Sequence, residues 1–150
     1  EAFCLFAPMT DYSELFRVSA KAVICVQGHG QDRVLLLRTP AGKWDMPGGR
    51  LEPGEDIEAS LARELVEEMG ISIPIGPVIY CSVRRRAPPK QNVVVVAYVC
   101  TMDTEPDQIV LSAEHETVRL FSAAEIGELG LVDSYREAIE KAFGHMSTMV

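Results

Sequence analysis

Three glutamates, Glu64, Glu67 and Glu68, stand at positions i, i+3 and i+4 of a stretch with helical periodicity. At 3.6 residues per turn that spacing puts three carboxylates on one helix face. Ser60 shares this face, while Ala59, Ala62, Val66 and Met69 take the opposite one, where the helix is expected to pack on a sheet. Like charges one turn apart cost about a few tenths of a kcal/mol each, and more when partly buried. A face that met only solvent would gain from interspersed lysines, and this one has none. Hard divalent cations relieve the repulsion, because Mg2+ and Mn2+ prefer oxygen ligands on which such carboxylates can converge. An acidic face alone is more commonly plain solvated surface, so its flanks decide the reading.

The flanks favour chemistry. A glycine-rich loop, Pro47-Gly48-Gly49 and then Pro53-Gly54, precedes the helix. Glycine lets a backbone come close to a ligand or adopt positive φ, so carbonyls and amides of this loop can face metals and phosphates. Arg63 has two prospective partners, Glu67 along the helix and Glu55 before it, and either contact would orient a carboxylate.

The elements that must position these groups follow from periodicity. Residues 18–27 and 33–38 read as strands joined by a turn over residues 28–32, a hairpin. Trp44-Asp45-Met46 is a short extended piece. Residues 57–69 form the helix, with Asp56 as N-cap and Gly70 as the residue just past its end. Residues 73–83 read as a strand interrupted at Gly76-Pro77, and residues 84–91 as a basic, proline-containing loop. Residues 92–101 are the most apolar run and read as a central strand. Short strands are expected at 108–111 and 117–121, a capping box at Ser122 to Glu125, and a last helix over 133–143 with Gly144 behind it. Strands, helix, strands, helix is the order of an α+β fold with a mixed sheet.

With 150 residues, 47% hydrophobic and 24% charged, the chain is expected to form one soluble domain, with residues 1–16 as an N-terminal extension. It begins with Glu1 rather than Met, as a piece of a longer protein would. The net charge of −8 argues against a general nucleic-acid surface but admits a small phosphorylated ligand once cations stand between. Cys4, Cys25, Cys81 and Cys100 show no metal-ligand spacing and read as reduced thiols of a cytoplasmic protein. No apolar run reaches the roughly 18 residues of a membrane span, and no secretion signal is visible.

The segment from Gly49 to Ile71 resembles the Nudix box, G-x5-E-x7-R-E-U-x-E-E-x-G-U with U bulky and aliphatic. Gly49, Glu55, Arg63-Glu64-Leu65, Glu67-Glu68 and Gly70-Ile71 fill all nine defined positions. Trp44 to Gly49 is similar to the W-x-x-P-G-G lead-in common in that family, and residues 18–121 carry the likeness. The resemblance implies a Nudix-type α/β/α sandwich and a pyrophosphohydrolase. Its substrate would be a nucleoside diphosphate linked to another group, its cofactor Mg2+ or Mn2+. Glu64, Glu67 and Glu68 would hold the metal with the Gly48 carbonyl, and Glu55 and Arg63 would orient them.

The resemblance leaves the general base open. Glu64 is the first choice within the box, while Glu114 and Glu116 are candidates for base or further metal ligand, or else solvated loop residues. His115 between them reads as solvated. Arg84, Arg85, Arg86 and Lys90 form a basic cluster, either a clamp on phosphates or a solubilising loop. Trp44 and Tyr80 can stack a base, although core packing suits Trp44 better. The ADP-ribose and diadenosine-polyphosphate signatures of the family do not fit: Pro88 is off its place, and no tyrosine lies between Tyr80 and Tyr98. A nucleotide is the expected partner, a homodimer is compatible with the family, and neither nucleic acid nor membrane is expected. A non-catalytic Nudix sensor is the rival reading, which the intact glutamate set disfavours. A calcium-binding domain is disfavoured too, since no EF-hand-like loop occurs.

Overall fold

The structure is a computed structural model that describes residues 15–27, 31–103 and 105–149. Part of the turn expected over 28–32, most of the N-terminal extension and Cys4 lie outside the described residues. The chain runs β1 (Phe16–Val26), β2 (Arg33–Arg38), β3 (Trp44–Asp45), β4 (Gly48–Arg50), α1 (Ile57–Met69), β5 (Val78–Arg84), β6 (Asn92–Thr101), β7 (Thr117–Ser122), α2 (Ala123–Ile126) and α3 (Asp133–Ser147).

β1 organises the sheet. It pairs antiparallel with β2 at Ile24–Leu35 and with β4 at Lys21–Gly48, and it runs parallel to β6 from Phe16–Asn92 to Cys25–Thr101. β5 lies antiparallel on β6, while β3 and β7 pair with β2. Among the described residues this makes a mixed seven-stranded sheet in the order β3-β2-β1-β6-β5, with β4 on β1 and β7 on β2.

Strand alternation sends successive side chains to opposite faces. Ala20, Ala22 and Ile24 of β1 meet Leu61, Leu65 and Met69 of α1. Val23 and Cys25 meet Ala138, Ile139, Ala142 and Met146 of α3. The result is the α/β/α sandwich. Each fully buried leucine of α1 contributes on the order of 2 kcal/mol.

The expected packing face of α1 needs correction. Ala59, Ala62 and Val66 are exposed, and the buried residues are Ser60, Leu61, Leu65, Glu68 and Met69. Leu61 and Leu65 carry the largest apolar area on the helix, so they turn to the sheet. The carboxylate face therefore borders the packed face instead of opposing it, which puts Glu68 at the seam.

Other differences are local. Of the strand expected over 73–83, residues 73–77 form none, because Pro74 and Pro77 remove ladder donors. Residues 108–111 form none either. After a 3-10 turn at Pro106–Gln108 they lie along α1, where Val110 and Ser112 donate N–H bonds to the Met69 and Glu68 carbonyls. α3 continues through Gly144 to Ser147, anchored by buried Met146. The capping box at Ser122 and Glu125 forms as expected, and Gly70 ends α1 at φ 66°. Cys25, Cys81 and Cys100 are free thiols. Among the described residues, no helix is long and apolar enough to cross a membrane.

Candidate active site

Gly48 and Gly49 lie beside β1; a side chain on Gly48 would collide with backbone, and one on Gly49 would displace the Glu64 carboxylate. A Cβ on Gly48, whose φ is +121°, would meet the Ala20 carbonyl oxygen at 2.2 Å. A Cβ on Gly49 would lie 2.3 Å from Glu64 Oε1. The two glycines thus let the backbone touch the carboxylate face of α1. The Gly48 N–H donates to Glu68 Oε2 at 2.7 Å, and the Ser19 hydroxyl donates to the Gly49 carbonyl at 3.1 Å.

Arg63 pairs with both expected partners at once. Its Nη2 lies 3.1 Å from Glu55 Oε2, and its Nη1 lies 2.9 Å from Glu67 Oε2 and 3.2 Å from Glu64 Oε1. The hydrogen bonds from Arg63 hold the Glu55 carboxyl down at about 2. Burial pushes Glu64 up, and Glu68 further, to about 7, against the pull of the Gly48 N–H and of Lys21.

Lys21 is the residue that the sequence reading missed. Its ammonium, 7% exposed, donates to Asp45 Oδ1 at 3.1 Å and to the Met46 and Gly48 carbonyls at 3.0 Å each. Burial opposes the charge, yet Asp45 and the other acidic neighbours carry its pKa above the ordinary lysine value. A lysine inside the apolar run Val18 to Val26 was the available signal, since a buried amine needs acceptors around it. The Gly48 carbonyl, expected from the sequence to face a metal, accepts from this ammonium.

The loop before β7 adds Glu114 and His115. Glu114 lines the cleft along the glutamates, whereas Glu116 is exposed outside it, its backbone N–H tied to the Arg38 carbonyl as β7 begins. The His115 side chain is not solvated as expected. It is 6% exposed, with Nε2 3.9 Å from Glu68 Oε1, and burial lowers its pKa.

Three stretches of one cleft share walls. The acidic stretch lies along Gly48, Gly49, Glu64, Glu67, Glu68 and Glu114. The middle stretch has Arg17, Lys21, Arg50, Arg84 and Arg86 together with Asp45, Glu68 and Glu114, and beyond it come Trp44 and Leu131, with Tyr135 lining both. With volumes of 390–550 Å³, each is of small-molecule size. The basic triplet is divided, since Arg84 and Arg86 line the cleft and Arg85 does not. Trp44 stands edge-on to Phe121 with ring centroids 4.7 Å apart. Tyr80 is turned to α3, its hydroxyl donating to Glu137 Oε2 at 2.6 Å.

A hard cation suits this donor set. Burial raises the Glu64 and Glu68 carboxyls despite Arg63 and Lys21 nearby, and the buried Ser112 Oγ and His115 Nδ1 close by have no hydrogen-bond partner. Among the described residues no three acidic, histidine or cysteine side chains converge on one point, because Glu64 and Glu67 are turned to Arg63. Metal binding therefore requires these side chains to rotate off the guanidinium.

Clustered carboxylates, a glycine pair and cations thus line one cleft of an α/β/α domain. A family model of the NUDIX domain matches residues 15–142, and the chain belongs to the Nudix family. It is 32% identical over 115 residues to the putative nudix hydrolase 1 of Caenorhabditis elegans, covering 70% of this chain and 30% of that protein. It is 36% identical over 58 residues to a putative 8-oxo-dGTP diphosphatase of Bacillus subtilis, covering 39% of each. The chain thus spans no more than 39% of the length of either relative. Among solved structures, a MutT protein from Methanosarcina mazei Go1 gives a TM-score of 0.75 at 26% identity, covering 91% of this chain and 99% of that one. The Ap4A hydrolase of C. elegans gives 0.77 at 22% identity, covering 88% and 98%, a likeness of fold alone.

The raised Glu68 pKa has a consequence for stability. An acid raised on folding contributes stability that is fully present below its unfolded value, 4.5, and lost as pH rises through about 7. The loss is on the order of 2–3 kcal/mol. In metal-free buffer the wild type is expected to lose stability between pH 5 and pH 8, and Glu68→Gln to flatten that slope. Urea midpoints at the two pH values read this directly. Parallel slopes for the two proteins would show that Glu68 ionises freely in the fold.

Proposed function

We propose that this chain is a metal-dependent pyrophosphohydrolase acting on a nucleoside diphosphate linked to another group. The observation that carries the reading is the cleft itself, with half-buried carboxylates and a glycine pair at one end and cations further along.

Glu64, Glu67 and Glu68, with the Gly48 carbonyl, would hold Mg2+ or Mn2+. The bound cation would neutralise pyrophosphate charge and lower the pKa of a water. Glu64, beside Gly49, would accept the proton of the attacking water as the water oxygen bonds to phosphorus. The bridging P–O bond breaks, and its electron pair leaves with the departing phosphate. Arg63 orients Glu55 and would release Glu64 and Glu67 to the cation, and Lys21 fixes the Gly48 turn.

The names of relatives motivate an oxidised deoxynucleotide as the first substrate to try. The test is phosphate release from oxidised and normal dNTPs, ADP-ribose, nucleotide sugars, dinucleoside polyphosphates and capped RNA. It is run with Mg2+ or Mn2+ at slightly alkaline pH, beside Glu67→Gln. Activity on one class, abolished by EDTA and reduced at least about tenfold in the variant, is the expected result. Silence across the panel with nucleotide binding intact would favour the sensor reading.

A further inference from the structure

The glutamates account for only one end of the cleft. In a chain of net charge −8, the middle stretch gathers five cations, Arg17, Lys21, Arg50, Arg84 and Arg86, beside the carboxylates of Asp45, Glu68 and Glu114. Lys21 is committed elsewhere, and Arg17 in part. All three Lys21 donors go to Asp45, Met46 and Gly48, and the Arg17 Nε donates to Gln91 Oε1. Arg84 and Arg86 have no carboxylate partner among the described residues.

Their backbones are held firmly. Arg84 closes β5 opposite Val93, and the Arg86 N–H donates to Asn92 Oδ1 at 2.8 Å, with Asn92 itself buried. Alternation along the strand end brings residues 84 and 86 to the cleft and leaves Arg85 off it. Two guanidinium groups with free forks, set in a cleft, match phosphate oxygens in both charge and geometry.

The sequence of walls adds direction. A phosphate beside Glu64, Glu67 and Glu68 needs a cation in between, whereas one beside Arg84 and Arg86 needs none. Past the arginines the cleft turns aromatic and aliphatic, at Trp44, Leu131 and Tyr135, and there a base can lie.

We propose that Arg84 and Arg86 form a phosphate subsite that works without a divalent ion. It takes the phosphate of the nucleoside monophosphate half of the substrate, with the base lying toward Trp44. Calling that ligand half of a substrate rests on the hydrolase reading; the binding itself does not. Hydrolysis would leave the monophosphate product on this subsite as a competitive inhibitor.

The test is calorimetric titration in EDTA with the 5′-monophosphates and the free nucleosides of adenine, guanine, cytosine and uracil. At least one monophosphate is expected to bind, and its nucleoside to bind at least about tenfold more weakly. Arg84→Gln and Arg86→Gln are each expected to weaken the monophosphate about tenfold or more, with unfolding midpoints unchanged. In turnover the same variants raise KM more than they lower kcat. Binding that appears only with Mg2+, no binding at all, or binding indifferent to both substitutions overturns the subsite. The two readings fail separately, since metal-free binding without hydrolysis of any substrate sinks the hydrolase alone, and hydrolysis without metal-free binding sinks the subsite alone.

Discussion

Glu64→Gln is expected to lower kcat by about 10²–10⁴ on whichever nucleotide the chain hydrolyses, with little change in the unfolding midpoint. Glu64 is the box glutamate that touches the glycine pair, so its carboxylate stands where the acidic stretch of the cleft meets the backbone. Burial raises its pKa, which makes it a better proton acceptor than an exposed glutamate. Glutamine keeps the shape and can still accept the Arg63 hydrogen bond, so a large loss isolates the charge and the basicity. Glu114, which lines the same stretch, is the control. Full activity in Glu64→Gln together with loss in Glu114→Gln would move the base to the loop before β7. Steady-state kinetics and thermal melts on the two variants separate these outcomes.

The second large effect is on folding. Gly48→Ala is expected to cost about 2–6 kcal/mol, roughly 1–3 from holding alanine at positive φ and a similar amount from overpacking. The collision is with backbone, the Ala20 carbonyl oxygen 2.2 Å from the added Cβ, so no side-chain rotation relieves it. β1 is fixed on its other side by the parallel ladder to β6, which leaves β4 to move. Moving β4 breaks the Gly48 N–H bond to Glu68 and the Lys21 bond to the Gly48 carbonyl. Against a typical domain stability of about 5–15 kcal/mol this is a severe loss. A urea midpoint equal to that of the wild type would show that the turn is softer than its contacts suggest. Gly54→Ala, where a Cβ meets nothing within 4 Å, is the milder comparison although its φ is +84°.

Elements whose signals are local were legible from the residues alone. Helix α1 runs from Ile57 to Met69 with Gly70 behind it, and β2 and β6 match their expected bounds, because helix periodicity, a C-terminal glycine and a valine run are properties of neighbouring residues. The Nudix box was legible for the same reason, since its spacing lies within one loop and one helix. Tertiary structure decided what depends on residues distant in the chain. Leu61 and Leu65 outcompeted the alanines for the sheet, and that rotation brought Glu68 to the buried seam where its pKa climbs. Proline kept residues 73–77 out of the ladder, and the C-terminal carbonyls of α1 took the amides of Val110 and Ser112, so neither segment became the expected strand. His115 went inside, Arg85 parted from Arg84 and Arg86, and Lys21 found its acceptors 24 to 27 residues away. A charge buried by partners that far along the chain leaves no periodic trace, because its stability comes from acceptors that only the folded sheet brings within reach.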